Sequence, residues 1–249
     1  MKKITKKILV ISTGGTIGSA VKNNTINLKN ISANNIIHDY AIAIGKSPEL
    51  IKDMFEVRSP INILSENLIS SDWNLLINDI LKTDLSKYAG IIINHGTDTL
   101  PYTSAMLSFV FNNINIPIVL VSSNHPLDCV NSNGIENFIG AVNFIQNMPV
   151  SGVFVSYKNN KEKIKIHLGS ILIEASPFIN DFRSQKDSFL GTVNYPVLQG
   201  GASIFYDLKN TIFMVYQIAE TKHYKTALYT VDLRQTLYII LKNLLYLSV

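Results

Sequence analysis

Ile8-Leu9-Val10-Ile11-Ser12-Thr13-Gly14-Gly15-Thr16-Ile17-Gly18 decides how this chain is read. Four consecutive aliphatic residues suit a strand buried on both faces, and the glycines and hydroxyls that follow suit a sharp turn into a helix. The pattern occurs a second time. Gly90-Ile91-Ile92-Ile93 runs into Asn94-His95-Gly96-Thr97-Asp98-Thr99. Thr13 and Thr97 then sit at the carboxyl ends of two strands, the edge of an open α/β sheet where ligands bind. Hydroxyls and backbone N–H groups at such an edge can serve as nucleophile and oxyanion donors.

Working outward, strand and helix patterns alternate. Residues 8–12, 55–63, 90–94, 117–122, 152–157, 164–167 and 170–174 read as extended, the second limited by Pro60. Between them lie helical stripes: Ile36, Ile37, Tyr40, Ala41 and Ile44, with Ser32 as N-cap; Trp73, Leu76, Ile77, Ile80 and Leu81, capped by Ser71 or Asp72; Tyr102, Ala105, Met106, Phe109 and Val110, with Pro101 in the first turn; and Ile135, Phe138, Ile139, Val142 and Ile145. This alternation predicts an α/β fold: a doubly wound, mostly parallel sheet with helices on both faces. Right-handed crossovers would gather the loops at Thr13, Ser65, Thr97 and Ser122 on one edge. Residues 1–185 make the main domain, 186–210 lose periodicity and read as a linker, and 211–249 hold one further strand and helix.

Composition narrows the class. Of 249 residues, 47% are hydrophobic and 16% charged, a globular balance with a formal net charge of +4. No basic stripe is interleaved with aromatics, so no nucleic-acid partner is expected. Cys129 stands alone, which rules out an intrachain disulfide. Lys2 to Lys7 before Ile8 superficially resemble a signal peptide, but the apolar run is too short and meets Thr13-Gly14-Gly15 at once. Even Leu237 to Leu247 is interrupted by Lys242 and Asn243, so no membrane partner and a cytoplasmic location are expected.

Together the two glycine-hydroxyl motifs resemble those of the bacterial L-asparaginase and glutaminase family. Thr13-Gly14-Gly15-Thr16-Ile17 looks like its amino-terminal signature and His95-Gly96-Thr97-Asp98-Thr99 like its second. Ser65-Glu66-Asn67-Leu68 falls where that family places a substrate-binding serine loop. The resemblance covers about residues 8–185. It implies a small-molecule amide substrate, no cofactor and no metal, and a possible homo-oligomer. It makes Thr13 the nucleophile and places Thr97 and Asp98 in a second catalytic group. Gly14, Ser65, Glu66, Gly96 and Asp98 become substrate-binding, with Ser65 and Asp98 on the α-carboxylate and α-amino groups. A carboxylate at 98 pairs naturally with an ammonium group.

Three departures accompany the resemblance. No tyrosine occurs in residues 17–39, where the family carries one on a mobile loop; Tyr40 lies on a core-facing stripe. Counting back from the landmark Phe182-Arg183-Ser184, the family's catalytic lysine falls on Ile173, beside Glu174, while Lys163 and Lys165 precede it. Finally, 211–249 is a remnant of a second domain that family members carry complete, and its apolar helix needs a cover from the main domain or a second copy of the chain.

Plainer readings stand beside these. Gly14, Gly15 and Gly18 can make a tight turn and nothing more, and Thr13-x-Gly15-x-x-Gly18 misses a dinucleotide fingerprint only in its first glycine. Asp98 and Ser65 can be helix caps. His95, His125 and His167 lack metal-ligand spacing, and His95 reads as a hydrogen-bonded structural group rather than a base. Ser122, Ser123, Asn124 and Asp128 are pocket wall or turn chemistry around Pro126. A catalytically silent binding module on the same fold is the rival to an amidohydrolase.

Overall fold

A computed structural model describes residues 6–15, 20–22, 25–27, 33–148, 150–175 and 179–193. The expected remnant at 211–249, the Ser32 cap and most of the 186–210 linker lie outside these residues. Strand β1 (Lys7–Ser12) carries the first motif. A hairpin of β2 (Ala20–Lys22) and β3 (Thr25–Asn27) follows, then α1 (Ala33–Ala43), the single turn α2 (Pro48–Ile51) and β4 (Phe55–Arg58). Helix α3 (Ser70–Leu81) leads to β5 (Tyr88–Asn94), which carries the second motif. Then come α4 (Leu100–Val110), β6 (Pro117–Val121), α5 (Gly134–Asn147), β7 (Gly152–Lys158) and β8 (Ile164–Leu168). The short strands β9 (Leu172–Ile173), β10 (Arg183–Ser184) and β11 (Gly191–Val193) end the described chain. No helix among the described residues is long and apolar enough to cross a membrane.

The main sheet has the order β11-β8-β7-β6-β5-β1-β4. Pairings from β4 through β7 are parallel, and those of β8 with β7 and β11 are antiparallel. Both faces are covered, which is why β1, β5 and β6 read as unbroken apolar runs. Val10, Ile92 and Val119 point to the layer holding α1 and α5; Leu9, Ile91 and Ile118 point to the layer holding α3 and α4. From β1 the chain steps outward to β4 and then returns past β1 to β5. The order therefore reverses between β1 and β5, and such a reversal opens a crevice at the carboxyl ends of the strands.

The crossovers do not all share one hand. β1 to β4 passes through α1, and both β4 to β5 and β5 to β6 step the other way through helices on the opposite layer, so these three agree. β6 to β7 continues in the same direction as β5 to β6, but α5 lies on the α1 layer. Right-handed connections are nearly universal, so the α5 connection is the left-handed one, contrary to the expectation of uniform hand. The loop of residues 122–133 is long enough to carry the chain over the sheet edge to that layer.

Helix α4 also corrects the sequence reading. The expected stripe of Tyr102, Phe109 and Val110 faces outward, with Phe109 60% exposed. The buried side is Leu100, Thr103, Ser104 and Leu107. Its polar groups are bonded, so burial costs little: Trp73 Nε1 donates to Thr103 Oγ1 (3.0 Å), and Ser104 Oγ donates to the Gly169 carbonyl (2.9 Å). Small side chains let α4 seat closely on the 169–171 turn, which replaces the first half of the strand expected at 170–174. In α3, Leu76 and Ile80 are buried while Leu81 is exposed. The helix starts at Ser70, and Asp72 caps it by accepting from Ile69 N–H (2.9 Å).

Candidate active site

Three segments meet at the carboxyl edge between β1 and β5. Thr13 leaves β1 only 2% exposed. Its N–H and Oγ1 both donate to the Asn94 carbonyl, at 3.1 and 2.9 Å, so the end of β5 fixes both the backbone and the side chain. On the other flank the Thr13 carbonyl accepts from Ile63 N–H (2.9 Å), and Gly15 N–H donates to the Ile63 carbonyl (3.1 Å). Nothing in the sequence marks Asn94 and Ile63 as holders of Thr13, because both act through backbone atoms.

Backbone contact ties the two motif loops together. Gly15 has φ +76°, and a Cβ there would lie 2.5 Å from both Cα and N of Gly96. A Cβ on Gly96 would in turn overlap Ser65, 2.6 Å from its Cβ. Only glycine satisfies both demands. Ser65 is buried at the start of a 3₁₀ turn (Ser65–Asn67), and its Oγ donates to Asp98 Oδ2 (2.9 Å). Thr99 Oγ1 donates to the Ser65 carbonyl (3.1 Å). Neither Ser65 nor Asp98 caps a helix: the N-cap position of α4 is Thr99, and that of the 3₁₀ turn is Leu64. Asp98 and Glu66 are exposed, Thr97 half-buried. Gly14, with φ +97°, bridges Ile63.

His95 is wholly buried, with Nδ1 2.7 Å from the Gly96 carbonyl oxygen. Burial pushes its pKa down to about 4, against the opposing pull of the Gly96 bond and the Asp98 charge. It is therefore neutral at pH 7 and poorly placed to act as a general base.

No lysine among the described residues reaches Thr97, whose Oγ1 bonds to none of them. Lys158 is paired with Glu136 (2.5 Å), and Lys165 with Glu162 (2.6 Å) while lying over the Phe189 ring. Lys163 is exposed on the turn before β8. Ile173 is 47% exposed, and Glu174 beside it accepts a hydrogen bond from Tyr102. Tyr40 belongs to the core, packed edge-on against Phe55 and Phe138. The next strand end is turn chemistry: Asn124 and Asn133 exchange backbone-to-amide bonds (2.9 and 3.0 Å), and Ser123 Oγ meets Ser132 Oγ (2.8 Å). No group of three or more His, Cys, Asp or Glu among the described residues is arranged to hold a metal.

The arrangement supplies a held hydroxyl, a closely packed pair of glycine loops and an exposed carboxylate beside them. The Thr13 proton rests on a carbonyl, which can accept a hydrogen bond but cannot serve as a base. As a nucleophile Thr13 would still need a proton acceptor.

Known proteins share this arrangement of elements. The family model "Asparaginase, N-terminal" matches residues 7–199. A glutamyl-tRNA(Gln) amidotransferase component from Thermoplasma acidophilum is 34% identical over 139 residues, covering 56% of this chain and 32% of that protein. The L-asparaginase of Thermococcus kodakarensis is 32% identical over 191 residues, covering 76% of this chain and 52% of that protein. The solved thermostable L-asparaginase from Thermococcus kodakarensis superposes with a TM-score of 0.62 at 29% identity, over 81% of this chain and 56% of that one. L-asparaginase I from Vibrio cholerae gives a TM-score of 0.63 at 24% identity, a likeness of fold, over 82% and 57% of the two chains. The chain thus spans between a third and somewhat over half of the length of these relatives.

Proposed function

The chain belongs to the asparaginase family, and from that premise we propose that it is an amidohydrolase acting on the side-chain amide of asparagine or a related small carboxamide. One observation carries the reading: the Thr13 turn, the Ser65 turn and the Gly96-Thr97-Asp98 loop are locked together where the strand order reverses. In this reading Thr13 Oγ attacks the amide carbon, and backbone N–H groups of the Gly14 and Gly96 loops hold the oxyanion. Collapse of the tetrahedral species expels ammonia, and water then releases the acid from the threonine ester. Asp98, with one oxygen occupied by Ser65, keeps the other for the substrate's ammonium group. Thr97 belongs to the second catalytic group, and Glu66 is among the substrate-binding residues. The family-level chemistry suits relatives whose names include both an asparaginase and an amidotransferase. A cytoplasmic site of action fits a chain with one cysteine. A homo-oligomer would bring side chains of a second copy to a site that no lysine among the described residues of its own chain reaches.

A second reading, a binding module with the pocket but not the turnover, is favoured by Ile173 at the lysine position and by a Thr97 hydroxyl without a partner among the described residues. Ammonia release from a panel of amides, comparing wild type with Thr13→Ala and Thr97→Ala, separates the two. Turnover lost in both variants supports the enzyme. Background release from all three proteins refutes it, and calorimetric binding of aspartate in that case supports the module.

A further inference from the structure

His95 is used neither by the nucleophile nor by the substrate contacts described above, yet its geometry is tightly specified. Its N–H donates to the Val121 carbonyl (2.9 Å), which ties it to β6. The ring atom Nδ1 faces the Gly96 carbonyl oxygen at 2.7 Å. A carbonyl oxygen can only accept, so Nδ1 carries the proton. Nε2 is then a bare lone pair, buried and without a partner among the described residues. The ring is neutral at pH 7 because burial depresses its pKa, which leaves this single tautomer.

The peptide joining Gly96 to Thr97 is trans, and a trans peptide sets its C=O and N–H in opposite directions. Once the carbonyl is held on the buried ring, the Thr97 N–H is turned away from the ring. That N–H has no partner among the described residues. Gly96 has no side chain to anchor it, and the crowding by Gly15 and Ser65 forbids one. Glycine has the widest conformational range of any residue, and among the described residues the imidazole makes the one side-chain hydrogen bond to this peptide.

We infer that His95 is a positioning residue: by donating to the Gly96 carbonyl it orients the Gly96–Thr97 peptide so that the Thr97 N–H faces the oxyanion of the reacting amide. The role rests on the amidohydrolase reading above. Loss of an oxyanion donor commonly lowers kcat about 10²–10³-fold, and freeing a donor to swing rather than deleting it costs less, roughly 10–100-fold.

Two amide substitutions test it. In His95→Asn the new N–H₂ sits one bond beyond Cγ, where Nδ1 was; in His95→Gln it sits near the former Nε2. His95→Asn is expected to keep kcat within about threefold, and His95→Gln to lose roughly 10–100-fold with KM within about twofold. Nitrogen-15 NMR of the wild-type imidazole at pH 7 is expected to show Nδ1 protonated and Nε2 bare. An Nε2-protonated ring overturns the proposal even if His95→Gln fails to fold. So does a folded His95→Gln with wild-type kcat, or equal losses in the two variants. If the wild type releases no ammonia from any amide, the amidohydrolase reading falls and the positioning role with it. Active wild type with an indifferent His95→Gln sinks the positioning role alone.

Discussion

Gly15→Ala should be among the most damaging single-methyl additions in the molecule. Two effects combine. At φ +76° an alanine occupies the left-handed region, which costs about 1–2 kcal/mol. Its Cβ would also lie 2.5 Å from Gly96 Cα and N, backbone atoms with no rotamer to move aside. Overpacking of this kind adds about 1–3 kcal/mol. The sum, about 2–5 kcal/mol, corresponds to a fall in Tm of roughly 5–20 °C for a protein of this size. Gly45→Ala is the control. It has a similar φ, +69°, with nothing within 4 Å of the added methyl, so it isolates the backbone effect. Thermal unfolding followed by circular dichroism measures both. Should Gly15→Ala lose no more stability than Gly45→Ala, the claim that the motif loops touch backbone to backbone is wrong.

Other outcomes follow from the same geometry. Ser65→Ala removes the hydroxyl bonded to Asp98 and should cost about 1 kcal/mol, read from the urea midpoint, while weakening aspartate binding several-fold by calorimetry; unchanged binding would remove Ser65 from the substrate site. Burial holds His95 at about 4 and His167 at about 3, the latter also through the Lys165 charge, so the unfolded chain binds protons that the folded chain refuses. Both contributions are complete above about pH 6.5; that of His95 is lost as pH falls toward 4 and that of His167 as pH falls toward 3, with His95 alone accounting for about 3 kcal/mol. Urea midpoints at pH 7 and pH 4.5 should show it, and a His95→Asn, His167→Asn double variant with an undiminished pH slope would contradict it. Ile173→Lys places an ammonium group on a half-exposed position, so stability should change by less than about 0.5 kcal/mol. Ammonia release should rise at least tenfold if a missing base limits the chemistry; a folded variant with no gain argues that position 173 does not reach Thr97.

Strands buried on both faces are legible in the sequence because nothing polar interrupts them: Ile8 to Ile11, Ile91 to Ile93 and Pro117 to Val121 announce themselves. The motifs name Ser65 and Asp98 separately, but the hydrogen bond between them needs the fold, because it joins a 3₁₀ turn to the loop after β5. Helix α4 is misread for a physical reason. Its inward side is built from Thr103 and Ser104, hydrogen-bonded polar groups that a search for apolar periodicity passes over. Strand β11 lies where periodicity fades, and its identity comes from pairing with β8. The hand of the α5 connection depends on which layer a helix joins, and hydrophobic spacing is the same on either layer. His95 can be placed beside the motif from sequence, but its tautomer needs the Gly96 carbonyl.

The left-handed excursion of α5 has a consequence for synthesis on the ribosome. Phe138 closes over Tyr40 at 5.5 Å between ring centres and over Phe55 at 5.9 Å. Elements made early are therefore roofed by one made much later. A nascent chain that has just completed β6 carries α1 and β4 without the α5 side chains that pack on them. That stretch must wait, exposed to chaperones or to its own neighbours, until the polypeptide has emerged through Asn147.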